Sequence, residues 1–283
     1  MEETSIFSLI QISDAEFFTI RDMVFQQAGI HLTIKKKPLV VGRLHMLLRE
    51  KEFNNYNEYI QYVQSDQTGK ALEELVDKIS TNHTYFFREE AHFNFFLETA
   101  LPNVIAQIAK RGEKDLRIWS AGCATGEEAY MLVMLMKEAL GERYKDWDAG
   151  VLATDISNNA LAVAKQAVYP LDKAHQLPPH LRKKYTLTTQ EDQIEIHPDI
   201  RKEVTFRRFN LMSETFPFKK PFHIIFCRNV MIYFEEATRQ QLIQKFRGQL
   251  VPQGYLFIGH AETLRAIDEG FHYLRPAVYQ KEF

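Results

Sequence analysis

Arg117-Ile118-Trp119-Ser120-Ala121-Gly122-Cys123-Ala124-Thr125-Gly126-Glu127-Glu128 decides how this chain is read. A short apolar strand enters a loop of small residues, which opens onto the acidic start of a helix over Glu128–Leu140. Such a loop lets backbone approach a ligand at the carboxyl end of a parallel strand. A dinucleotide pyrophosphate favours helix N-terminal N–H groups with no anion in front of them. Glu127 and Glu128 stand at that spot, so the loop repels phosphate and suits a cation, such as the ammonium and sulfonium of S-adenosylmethionine. The competing explanation is that the acids merely complement the helix dipole. The loop alone does not choose between them.

On either side of this stretch the pattern is one of strands alternating with helices. Candidate strands are Leu116–Ser120, Gly150–Thr154, Val204–Phe209, Phe222–Phe226 and Tyr255–Ile258, with helices over Glu128–Leu140, Asn158–Ala167 and Glu236–Gln249. That alternation predicts a mainly parallel sheet covered on both faces. Residues 169 to about 202 break it with Pro, Lys and His and then short alternating runs, Tyr185–Thr188 and Gln193–His197, which predict an inserted antiparallel sheet. Ala91–Ala109 reads as a connecting helix. Residues 1 to about 80 have a different grammar. Ser13–Glu16 is a capping box, Phe17, Ile20, Val24 and Phe25 follow at helical spacing, and Gly29 offers a stop. Pro38 suits the first turn of a second helix, and two shorter helical patterns follow, around Tyr56–Val63 and Lys70–Ser80. The expected organisation is a helical domain over 1–80, a linker and connecting helix over 81–110, and an α/β domain over 111–283.

Composition narrows the function. A formal net charge of −2 argues against nucleic acid as the main partner. No apolar run approaches the roughly 20 residues that span a bilayer, and Met1-Glu2-Glu3-Thr4-Ser5 is not the start of a signal peptide. The two cysteines, Cys123 and Cys227, sit in candidate site loops and read as reduced thiols of a cytoplasmic protein. No His, Cys or carboxylate cluster has metal-ligand spacing, so no metal is expected.

Polar residues close the candidate strands. Asp155 ends Val151-Leu152-Ala153-Thr154-Asp155 and can accept hydrogen bonds from both hydroxyls of a ribose; it can also cap the helix beginning near Asn158. Asn210-Leu211 follows the third strand, placed to meet an adenine edge, although Asn is a common turn residue. Cys227-Arg228-Asn229 follows the fourth, and Tyr233 lies just beyond it, as a site residue or a core aromatic. Ahead of the α/β region, Asn82-His83-Thr84-Tyr85-Phe86-Phe87-Arg88 packs polar, aromatic and basic residues where one helix stops and another starts. Capping accounts for one or two of these, not for the Phe-Phe-Arg step.

Asn82–Arg88, Ser120–Glu128, Ala153-Thr154-Asp155, Cys227–Phe234 and Leu250–Glu262 together resemble, in order and spacing, the chemotaxis receptor methyltransferases, the CheR family, over nearly the whole chain. The resemblance implies an all-α N-terminal domain and a Rossmann-like methyltransferase domain with an inserted β-subdomain. It implies that S-adenosylmethionine is held by Asn82, Thr84, Arg88, Glu128, Asp155, Asn210, Leu211, Arg228 and Asn229, with Glu127 an open alternative to Glu128. Arg88 and Tyr233 correspond to residues beside the transferred methyl. One departure is His223, where the family often has Asp; another is Gly122-Cys123-Ala124, where some members carry Ala and Ser.

The implied reaction is methyl transfer to glutamate side chains of chemoreceptor cytoplasmic helices, giving γ-glutamyl methyl esters in chemotactic adaptation and leaving S-adenosylhomocysteine. A basic stretch, Lys35–Lys37 with Arg43, His45, Arg49 and Lys51, is a candidate docking face for those acidic helices. Some members grip a receptor C-terminal peptide through a Gly-x-Gly turn of the β-subdomain; Lys184–Ile196 has no glycine, which implies recognition without that tether. A small-molecule or nucleic-acid methyltransferase would explain the loop but not Asn82–Arg88. A non-catalytic sensor of S-adenosylmethionine would have no need of Arg88 and Tyr233.

Overall fold

The computed structural model describes residues 10–188, 192–264 and 270–282. The fold separates into two units, one running to Thr81 and taking in Tyr233–Glu235, the other formed by Asn82–Ile232 and the chain from Glu236 onward.

The first unit is helical: α1 (Asp14–Ala28), α2 (Lys37–Glu50), α3 (Tyr56–Ser65) and α4 (Lys70–Ile79). The capping box forms as the sequence predicts. Glu16 N–H donates to Ser13 Oγ at 3.2 Å and Ser13 N–H to Glu16 Oε2 at 2.7 Å, a cap whose loss costs about 1 kcal/mol. Gly29 closes α1 at φ 69°, where glycine alone carries no Cβ penalty. Phe17, Ile20 and Val24 share the inner face of α1 and bury against Leu44, Tyr59 and Leu75. Arg43 is built into this unit. Its guanidinium donates to the carbonyls of Ile79 and Ser80 and, at 2.8 Å, to Thr81 Oγ1, so it satisfies carbonyls left open where α4 ends.

In the second unit, α5 (Glu90–Phe95) passes through a π-turn, Phe96–Ala100, into α6 (Leu101–Lys110). The expected single helix is thus interrupted. Pro102 has no N–H to return to the Glu98 carbonyl, and the wider turn sits just before it. Then follow β1 (Asp115–Ala121), α7 (Glu127–Leu140), β2 (Asp148–Asp155), α8 (Asn158–Gln166), β3 (Val168–Pro170), α9 (Leu171–Ala174), α10 (Pro179–Tyr185), β4 (Thr186–Thr188), β5 (Gln193–Ile196), α11 (Pro198–Arg201), β6 (Val204–Arg208), β7 (Phe222–Cys227), α12 (Glu236–Gln249), β8 (Leu250–Ile258), β9 (Phe271–Arg275) and β10 (Val278–Lys281).

Seven strands form one sheet in the order β6-β2-β1-β7-β8-β10-β9. The first five run parallel, and β10 and β9 add antiparallel at the far side. Ile118, Trp119 and Ser120 are consecutive and all fully buried. Successive strand residues face opposite ways, so both faces of β1 are covered. Trp119 packs on Phe218, Phe222 and Phe246, while Ile118 joins the core built around α7. The β9–β10 hairpin lies outside the sequence expectation. Its turn uses Ala277 at φ 62°, without the Asn-Gly or Asp-Gly signal that marks tight hairpins.

The insertion folds as expected into a small antiparallel sheet, order β3-β5-β4. Of the glycine-free stretch Lys184–Ile196, residues 189–191 lie outside the described residues. Among those described, no helix is long and apolar enough to cross a membrane.

Candidate functional site

Glu128, Asp155, Asn210, Arg228 and Asn229 follow the carboxyl ends of β1, β2, β6 and β7, the edge at which open α/β sheets bind ligands. The loop after β1 is folded back onto β2. Gly122 and Cys123 N–H both donate to the Thr154 carbonyl, at 2.8 and 2.9 Å, and Ala124 N–H donates to Asp155 Oδ2 at 2.8 Å. Gly122 has φ +84°, and a Cβ there would come 2.3 Å from Val230 Cγ2, so only glycine lets the loop lie against the segment after β7.

Asp155 is buried, and its second oxygen accepts from Ser157 N–H at 2.9 Å. It does not cap α8; Ser157 does, accepting from Ala160 N–H at 3.1 Å. These two backbone bonds orient the Asp155 carboxylate at the end of β2. Phe209 N–H donates to the Asp155 carbonyl at 2.9 Å, which brings Asn210 and Leu211 alongside. Leu211 is buried. Asn210 behaves as a turn residue, its Oδ1 accepting from Met212 N–H at 2.9 Å.

The two glutamates at the start of α7 have separate fates. Glu127 is 0% exposed and committed to the protein: Lys173 Nζ lies 2.6 Å from Oε1, and Thr125 Oγ1 donates to Oε2 at 2.6 Å. Glu128 keeps 13% of its side chain exposed, with Ser120 Oγ donating to Oε1 at 2.7 Å and Arg228 Nη1 to Oε2 at 2.9 Å.

Arg228 is the centre of the arrangement. It stands over the Phe93 ring with its Cζ 5.2 Å from the centroid. Its Nη2 donates to the Arg88 carbonyl and, at 3.0 Å, to Glu89 Oε2. Glu89 also accepts from Asn229 Nδ2 at 3.2 Å and His260 N–H at 3.4 Å. Burial would raise the Glu89 pKa, but contact with His92, the Arg228 charge and the Asn229 hydrogen bond outweigh it and hold the carboxyl well below the usual carboxylate range. Glu262 performs a similar task for the next turn: its buried carboxylate accepts from the N–H groups of Asn229, Ile232 and Gly259 at 3.2, 3.1 and 2.5 Å. Neither Glu89 nor Glu262 stood out in the sequence as a site residue, although each lies in or beside a quoted motif.

The Phe-Phe-Arg step has a packing explanation after all. Phe86 is fully buried, edge-on to Tyr169 at 5.1 Å, and Phe87 stacks on Phe93 at 5.5 Å. Phe87 and Glu89 both take positive φ, 62° and 58°, a costly backbone for non-glycine residues that is concentrated at functional sites. This double turn aims the Arg88 carbonyl at Arg228. The Arg88 guanidinium is turned the other way, its Nη1 donating to the His83 carbonyl at 2.7 Å. Asn82 and Thr84, both half-buried, lie on the irregular segment leading into that turn. Tyr233 groups with the helical unit, where its carbonyl accepts from His31 N–H at 2.8 Å. The structure thus brings Glu128, Arg228, Asn229 and the Arg88 backbone into one hydrogen-bonded cluster, and Asp155 into the adjoining loop.

His223, the departure from the family pattern, lies towards the start of β7, away from this edge. It is buried, its Nδ1 accepts from Arg117 N–H at 3.1 Å, and burial together with the Arg117 charge lowers its pKa to about 4. It is a neutral structural residue.

Spacing along the chain missed one possible donor group. Glu89, His92 and His260 place ligand atoms within 4.8 Å of one another. Both Glu89 oxygens are already engaged by Arg228, Asn229 and His260 N–H, and the guanidinium puts a fixed positive charge beside them. That environment disfavours a cation in the plane of the trio, and we read it as a hydrogen-bonding hub.

The donor set fits S-adenosylmethionine on its chemistry. Glu128 at the start of α7 and Asp155 at the end of β2 offer carboxylates at the same edge of the sheet, Glu128 with its oxygens already accepting from Ser120 and Arg228. Comparison with known proteins agrees. Residues 82–279 match the family model for the CheR methyltransferase SAM binding domain, and residues 15–80 that for the CheR methyltransferase all-alpha domain. A chemotaxis protein methyltransferase of Borreliella burgdorferi is 43% identical over 272 residues, covering 96% of each chain. One of Escherichia coli is 31% identical, over 95% of this chain and 92% of its own. The chain belongs to the CheR methyltransferase family, whose all-alpha and S-adenosylmethionine-binding domains it carries in sequence.

Proposed function

We propose that this methyltransferase esterifies glutamate side chains on the cytoplasmic helices of chemoreceptors, in the cytoplasm. The observation that carries the reading is the placement of Glu128 and Asp155, flanked by Arg228 and Asn229, within a domain of this family. Glu128 receives the cofactor's ammonium, Asp155 its ribose hydroxyls, and Asn210 and Leu211 the adenine. Asn82, Thr84, Arg228 and Asn229 complete the enclosure. When bound, S-adenosylmethionine supplies an electrophilic methyl on a sulfonium.

A substrate glutamate, with an ordinary pKa of about 4.3, is already ionised at neutral pH and needs no general base. This explains why the site needs no nucleophile–base pair. An anion and a cation lose charge as they react, so excluding water and fixing dipoles favours the transition state. The remaining task is in-line alignment. Arg88 rotates from His83 to hold a carboxylate, and Tyr233 aligns the methyl. On this assignment Tyr233→Phe lowers the single-turnover rate by about tenfold or more while leaving cofactor affinity within about twofold. Equal rates would make Tyr233 a packing residue.

For receptor docking, the structure revises the basic face. Arg43 is occupied by the end of α4, His45 is buried, and Lys37 pairs with Asp14 at 2.6 Å. Lys35 and Lys36 are exposed, as are Met46 and Arg49, three residues apart on one face of α2. We assign receptor contact to these four, without a tethering peptide. Reversing the charges of Lys35 and Lys36 should weaken binding of a receptor fragment several-fold at low salt and little at high salt. Deleting the fragment's C-terminal tail should not. Binding that vanishes with the tail yet ignores the charge reversals sinks this assignment.

A further inference from the structure

Arg228 faces two carboxylates where one would balance it. Its Nη2 is 3.0 Å from Glu89 and its Nη1 2.9 Å from Glu128, and only 3% of its side chain is exposed. The trio therefore carries one net negative charge in a poorly hydrated place. His92, 3.2 Å from Glu89 and almost completely buried, offsets it little, because burial lowers its pKa and so disfavours a charged ring. The Arg88 guanidinium is directed at the His83 carbonyl and not at the trio. Asp155, in the adjoining loop, adds to the negative field. An uncompensated charge held away from water is costly until a cation completes it.

The cofactor and its product differ in this one respect. S-adenosylmethionine carries a sulfonium and has a net charge of +1; S-adenosylhomocysteine is a thioether of nearly the same shape with net charge zero. Glu128 alone, paired with Arg228, would form a neutral pair whose field discriminates that difference less. We propose that Glu89 is a specificity-determining residue: by sharing Arg228 with Glu128 it leaves a net negative charge that weights the cleft towards the sulfonium form over the thioether. It acts through Arg228 and the field of the cleft, and touches neither ligand. The inference rests on the assignment of this cleft to the cofactor. At an effective dielectric of ~20, a unit charge roughly 10 Å away changes binding by on the order of tenfold.

Glu89→Gln and Glu89→Met remove the charge at similar side-chain length, and whichever keeps a cooperative melt carries the test. Glu89→Asp keeps the charge. Affinities of the full chain for S-adenosylmethionine and S-adenosylhomocysteine are measured by calorimetry. In the charge-removing variant, affinity for the sulfonium should fall at least about tenfold further than affinity for the thioether. In Glu89→Asp the ratio of the two should stay within about twofold of wild type, whatever happens to their absolute values. A parallel loss of both ligands, or no loss of either, overturns the proposal and leaves Glu89 a structural clasp. Glu128→Gln, measured alongside, tests the cleft itself: unchanged binding there discredits the cofactor assignment, whereas an unchanged ratio in the Glu89 variants discredits only the present inference.

Discussion

Arg228→Met is expected to destabilise the α/β unit by about 3–5 kcal/mol. The guanidinium is 3% exposed and lies between Glu89 and Glu128, whose side chains are 14% and 13% exposed. Removing it leaves two carboxylates facing each other across the gap, with neither free to reach water without moving the segments that carry them. Asn229 and Ser120 still donate to the pair, but neutral hydrogen bonds return only part of what is lost. Urea denaturation should show a correspondingly lower midpoint, and calorimetry no measurable cofactor binding. A variant as stable as wild type would mean that the carboxylates relax outward and that the trio holds nothing together.

Asp155→Ala should weaken binding of S-adenosylmethionine and S-adenosylhomocysteine by about 2–4 kcal/mol, roughly thirty- to nearly a thousandfold. Two losses combine. The ribose hydroxyls lose a charged acceptor, and the loop after β1 loses the anchor for Ala124 N–H. Because Asp155 also receives Ser157 N–H at 2.9 Å, a small fall in melting temperature is expected too. Calorimetry on the folded variant decides the matter. Unchanged affinity for both ligands would remove Asp155 from the cofactor site.

How much of this was legible from the residues follows from how local each signal is. The capping box of α1, the span of α12 and the strand–loop–helix around Gly122 were readable because a few neighbouring residues specify each of them. The hairpin of β9 and β10 was not, since its turn is closed by Ala277 at positive φ and its pairing with β8 is long-range. The break in the connecting helix was visible in principle as Pro102, but a proline in a first turn is equally compatible with a fresh start. Site residues divide the same way. Glu128, Asp155 and Arg228 close strands or open a helix and could be named from position. Glu89 acquires its role only because Arg228, far along the chain, folds back onto it. Arg43 read as a surface charge because nothing local announces that the end of α4 will use it. Glu127 and Glu128 are adjacent and identical in type, and only their distant partners separate them: Lys173 from the insertion for the fully buried Glu127, Arg228 for the slightly exposed Glu128.

The central claim is methyl transfer to receptor glutamates. Its most direct test is to incubate the chain with S-adenosylmethionine labelled in the methyl group and a chemoreceptor cytoplasmic fragment, then follow the label. The account predicts label on the receptor, released as methanol by mild base and mapped by mass spectrometry to glutamate side chains, with none when those positions are glutamine. Label that survives base, that maps to lysine or another nitrogen, or that enters a small molecule while the receptor stays unmodified would contradict it.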